Sequence, residues 1–190
     1  MTEGFIPPHG GYKELLSYKK AQIVYDATVR FCEKYIRRSD RTYDQMVQAA
    51  RSGKQNIVEG SQASGTSKKM EIKLTNVARA SLEELLEDYR DFLRTRGLEE
   101  WPLDHPYTKR LRELNQQPDA DYDDTFSKGI EHPDPAIAAN VIIGLIKVTT
   151  YLLDRQLKQL EKAFVKEGGL GESMVRARLK ERSKKRRPEP

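Results

Sequence analysis

Cysteine, histidine and tryptophan are all scarce in this chain of 190 residues, which has one Cys, three His and one Trp. A lone Cys32 excludes an intramolecular disulfide and points to a reducing compartment. Its setting between Phe31 and Glu33 in a helical pattern predicts plain packing. His9, His105 and His132 each neighbour a proline and share no ligand spacing, so they read as loop residues, and no metal or other cofactor is expected. Long apolar runs are missing too. The longest, residues 136–148, contains Asn140 and Lys147 and reads as too short to span a bilayer. The N-terminus is acidic at Glu3 and broken by Pro7 and Pro8, unlike a secretory signal. Together these absences predict a cytoplasmic protein without membrane contact.

What is present is helical patterning. A hydrophobic fraction of 37% beside a charged fraction of 33% suits helices with broad solvated faces. The length allows one domain with a core, plus appendages. Spacing predicts a first helix over 13–37 with Leu16, Ile23, Val24, Ala27, Phe31 and Tyr35 inward. A second follows over 43–59, with Gly60 as its left-handed cap, and a polar loop over 61–66. A third spans 67–96, with Met70, Leu74, Val77, Ser81, Leu85, Tyr89 and Phe92 inward. A fourth opens at Asp134 and Pro135, an N-cap followed by proline at the first helical position, and runs to about 166. The expected fold is all-α: an up-and-down four-helix bundle over 1–166, with an insertion at about 97–133, and a suffix over 167–190. Within the insertion, Tyr107, Leu111 and Leu114 suggest a short helix, and the remainder reads as a lid over one end of the bundle or a flexible edge.

Residues 45–60 carry small and polar residues where an ordinary helix carries leucine. Met46, Ala50, Gly53, Ile57 and Gly60 form one slim stripe. Beside it run Ala49, Ser52, Asn56 and Glu59, and the later segment repeats the spacing with Ser81 and Glu84. Ser52, Asn56, Glu59, Ser81 and Glu84 are expected to form a structural polar network across a tight helix contact. The carboxylates could in principle serve acid/base chemistry, but no nucleophile or cofactor motif accompanies them, so no catalytic residue is assigned. Two further motifs are near misses. Residues 60–67 lack the lysine and the preceding strand of a phosphate-binding loop. Asp119, Asp121 and Asp123 open like a calcium loop, but Asp124 and Ile130 stand where glycine and glutamate are needed.

The pattern Asn56-Ile57-x-Glu59-Gly60, with Gln45 and Ser52 upstream and Ala78-Arg79-x-Ser81-Leu82-x-Glu84-Leu85 downstream, resembles a bacterial four-helix-bundle family. That family comprises proteins encoded by intervening sequences in 23S ribosomal RNA genes and the accessory variability determinants of diversity-generating retroelements. The resemblance covers roughly residues 13–96 and resumes over 136–164. Residues 167–178 resemble the C-terminal suffix of a subgroup. What the resemblance implies is a bundle assembled into a homo-oligomer, often a pentamer, with no catalytic centre; in the retroelement branch it binds nucleic acid and a reverse transcriptase. The chain departs from the pattern at Val47 and Gln48, where relatives carry a basic pair, at Ala80, where they carry glycine, and at Gly53 and Lys54, where they carry Ile-Pro.

Charge is unevenly placed. From residue 176 onward stand Arg176, Arg178, Lys180, Arg182, Lys184, Lys185, Arg186 and Arg187 against Glu181 and Glu189, so the tail holds +6 of a net +5 and the rest is −1. Segregated Lys and Arg suit phosphate contacts that are electrostatic and largely blind to sequence. The expected function is a non-enzymatic oligomeric scaffold or adaptor associating with DNA, RNA or a nucleic-acid enzyme such as a reverse transcriptase. The alternative is a protein-only interaction module with a solubilising basic tail. A hydrolase built on Glu59 and Glu84 ranks third.

Overall fold

The computed structural model describes residues 9–116 and 125–185. Every regular element among them is helical. A 3-10 turn at Tyr12–Glu14 leads into α1 (Leu16–Tyr35), followed by α2 (Arg41–Ala63) and α3 (Lys68–Arg94). Next come the short α4 (Pro106–Asn115) and α5 (Ser127–Ile130), the long α6 (Pro135–Glu167) and α7 (Leu170–Lys185). Side-chain caps fix three of the long starts. The Asp40 carboxylate accepts from Thr42 N–H, the Ser67 hydroxyl from Met70 N–H, and the Asp134 carboxylate from Ala136 N–H with Pro135 following. Each supplies an acceptor for one of the N–H groups that a helix start leaves unbonded.

Four helices pack in a ring, α1 on α2, α2 on α3, α3 on α6 and α6 on α1, around a shared apolar core. α1 and α6 run antiparallel. The start of α1 meets the far part of α6 through the Ser17 hydroxyl, which donates to Gln156 Oε1 at 2.8 Å, while Lys34 at its other end donates to the Glu131 carbonyl. Phe31 anchors the core, with ring centroids 4.9 Å from Tyr89 and 4.8 Å from Phe92. The Tyr89 hydroxyl donates to Thr28 Oγ1, which itself donates to the Val24 carbonyl, so the buried phenol is satisfied. Burial pushes the Cys32 thiol up to about 12, which keeps it protonated and inert. Two charged residues share this interior, Lys20 and Glu71, at 1% and 9% exposure. Among the described residues Lys20 Nζ has no hydrogen-bond partner, and it lies 5.1 Å from the centroid of the Phe126 ring.

Several sequence expectations shift. Gly60 is no cap: α2 runs three residues past it, and Gly60 is buried inside the helix. A positive φ occurs instead at Gly97, closing the turn after α3, and at Gly168, after α6. The polar loop is therefore shorter than 61–66, since Ser61 to Ala63 are helical. In the first half of α3 the inward residues are Glu71, Thr75, Ala78 and Leu82, whereas Met70 and Val77 are exposed. Leu85, Tyr89 and Phe92 do face inward. A stretch beginning at Pro135 is, by length and composition, apolar enough to cross a membrane, contrary to the expectation from the interrupted run. Its apolar window is 61% buried within the helical core, which accounts for its composition. Residues 1–8, and the acidic positions Asp119, Asp121, Asp123 and Asp124, lie outside the described residues.

Candidate nucleic-acid interface and the polar seam

The seam between α2 and α3 is where the small-residue stripe acts. Gly53 admits Leu82, so close that a Cβ on Gly53 would stand 2.7 Å from Leu82 Cγ. Two turns on, a Cβ on Gly60 would meet the Glu71 carbonyl and Leu74 Cβ at 3.4 Å, ordinary contact. Beside Gly53 the Ser52 and Ser81 hydroxyls lie 3.0 Å apart, and Asn56 Nδ2 donates to the Ser52 carbonyl and hydroxyl. Ser52, Asn56 and Ser81 thus come together as a bridge across the contact. Glu59 and Glu84 are exposed and take no part in these hydrogen bonds. On a helix, one residue of rotation is about 100°, enough to carry a side chain from a seam to solvent.

A second polar cluster escaped the sequence reading. The Asn140 carboxamide accepts from Trp101 N–H at 2.7 Å and donates to the Glu99 and Ala136 carbonyls, tying the segment after α3 to α6. Beside it the Glu100 carboxylate accepts from Arg90 of α3 and Lys147 of α6. Burial acts to raise the Glu100 carboxyl, but the Lys147 and Arg90 hydrogen bonds outweigh it and hold the group below its ordinary value. The signal was present: Asn140 and Lys147 are the two polar residues that interrupt the apolar run of α6.

The described part of the basic suffix is mostly helical. After Gly168, at φ +76°, and Gly169, α7 rises with Glu172 capping Gly169 N–H. Arg176, Arg178, Lys180 and Arg182 are all exposed. Arg176 donates to the Glu167 carbonyl and the Ser173 hydroxyl, and no ion pair holds any of these four among the described residues. Positions 176 and 180 share one side of the helix and 178 and 182 another, so charge surrounds it. Lys184 and Lys185 end the helix, and Arg186 and Arg187 lie outside the described residues. Met174, Val175 and Leu179 are exposed on the same helix. Among the described residues, no group of three or more His, Cys, Asp or Glu side chains is placed to hold a metal ion.

This architecture defines an all-α protein whose long helices enclose one core and whose last helix stands off it. Set against protein families, curated proteins and solved structures, the chain matches none of them.

Proposed function

We propose that α1, α2, α3 and α6 form an up-and-down four-helix bundle, with residues 97–133 inserted before its last helix and a basic suffix after it. We further propose that the protein acts as a non-enzymatic oligomeric scaffold in the cytoplasm. It associates with nucleic acid, or with a nucleic-acid enzyme such as a reverse transcriptase, as the resemblance to the 23S-intervening-sequence and retroelement proteins implies. One observation carries this reading: α7 presents Arg176, Arg178, Lys180 and Arg182 to solvent without ion-pair partners among the described residues, on a chain whose remainder is close to neutral. Free cations clustered on an exposed helix release condensed counterions when they meet phosphate. An oligomer, by resemblance a pentamer, multiplies them into a polyvalent surface. Such contacts read backbone charge and carry no base-edge information.

The test compares the full chain with a form ending at Gly169 for binding to mixed-sequence DNA and RNA over a salt series. If about half of one tail engages phosphate, the log–log salt slope is roughly −3 to −4 per subunit, and it collapses on truncation. Unchanged affinity without α7 would move the contacts elsewhere on the protein. The exposure of Met174, Val175 and Leu179 on the same helix favours a second reading, a protein-only interaction module with a solubilising tail. Failure of both forms to bind nucleic acid would select it.

A further inference from the structure

Between α4 and α6 lies a cavity of about 690 Å³, lined also by Leu16 of α1 and by Trp101. That volume falls within the roughly 300–1,000 Å³ of small-molecule sites. Both long walls mix apolar and polar groups. The α6 wall sets Ile143, Val148 and Leu152 beside Asn140 and Lys147, and the α4 wall offers Thr108, Arg112 and Asn115 around the apolar Leu111. Positions 108, 111, 112 and 115 follow the three-and-four spacing of one helix face. Gly144 lets α4 come close, since a Cβ there would stand 3.2 Å from Leu111 Cδ1.

One cation on this face is left over. Arg112 is exposed and, among the described residues, enters no ion pair, while the other cation of the lining, Lys147, is neutralised by Glu100. Asn115 is 8% exposed, and its Nδ2 donates to the Leu111 carbonyl. We propose that this cavity binds a small amphipathic carboxylate, with its apolar body against Ile143, Val148 and Leu152 and its anionic head at Arg112. The proposal is independent of the nucleic-acid reading, because no residue of α7 takes part.

Trp101 is the sole tryptophan and lines the cavity, so intrinsic fluorescence of the full chain reports occupancy directly. The probe is dodecanoate below its micelle concentration, compared with dodecanol and with dodecyltrimethylammonium. The expected result is a saturable one-to-one change with dodecanoate, a weaker one with dodecanol and none with the cation. Arg112→Gln, at an exposed site with folding checked by circular dichroism, should raise the dodecanoate Kd about tenfold or more and leave dodecanol unaltered. No saturable response to dodecanoate, an equal response to the cationic amphiphile, or an unchanged Kd in Arg112→Gln would overturn the proposal. Trp101 emission that shifts with protein concentration alone, and not with dodecanoate, would assign the cavity to a second copy of the chain and overturn it likewise.

Discussion

Gly53 and Gly60 sit two turns apart on α2, both against α3, yet they meet it differently. A methyl group at Gly53 collides with Leu82, which is fully buried and must change rotamer to give way. Gly53→Ala should therefore destabilise the fold by about 1–3 kcal/mol through overpacking. At Gly60 the same methyl meets only ordinary contacts, and the gain in helix propensity is about 0.5–1 kcal/mol, so Gly60→Ala should be neutral or stabilising. Denaturant unfolding of the two variants checks the pair, and equal losses would contradict the packing described. Glu71 supplies a prediction in pH. Burial pushes its carboxyl up, and Lys68 opposes this without cancelling it. An acid whose folded pKa is raised costs stability as pH rises from the unfolded value through the folded one. Glu71→Gln should accordingly stabilise the protein at neutral pH by about 1 kcal/mol and leave stability below pH ~4 nearly unchanged. Unfolding curves at pH 4, 5.5 and 7 would show it, and a variant equally stable or weaker at pH 7 would count against it.

At the scale of helices, the inward faces can be tested by truncation. Ile57 of α2 and Leu85 of α3 are 2% and 0% exposed, and replacing either by Ala should cost about 2–5 kcal/mol. Losses below about half a kilocalorie at both sites would mean that these faces are misassigned. Much at this scale was legible in the sequence. The Asp134-Pro135 start of α6 and the large inward residues Leu85, Tyr89 and Phe92 all carry strong local signals. The first half of α3 was only partly legible, because a ranking by apolarity selects Met70 and Val77 along with Leu74. Leu74 does meet α2 at Gly60, but the buried positions are Glu71, Thr75 and Ala78, one residue and so about 100° from Met70, Leu74 and Val77. The basic suffix could be read as composition because its residues are contiguous. The cavity could not, since Leu16, Trp101, Arg112, Asn115 and Ile143 become neighbours only when α1, α4 and α6 are packed. Asn140 and Lys147 were noticed as interruptions, but their partners, the Trp101 N–H and Glu100, follow from tertiary contact alone.

For the whole molecule, charge and shape act together. The proposed assembly predicts that light scattering will report a mass several times 21.9 kDa, and a clean monomer at micromolar concentration would sink the expectation taken from the resemblance. α6 also has a mechanical consequence. At ~1.5 Å per residue its 33 residues reach about 50 Å, against about 30 Å for the 20 of α1, and Leu153 is its last buried residue. The turns beyond Leu153 keep their internal hydrogen bonds but have little packing to protect them from water, and Val165 is 85% exposed. One continuous helix therefore spans two regimes of opening. Amides before Leu153 should exchange with solvent deuterium only on global unfolding, while those after Asp154 should fray stepwise and fast toward Gly168. Any load applied to the suffix would first unwind this free stalk, leaving the core that holds its other end undisturbed.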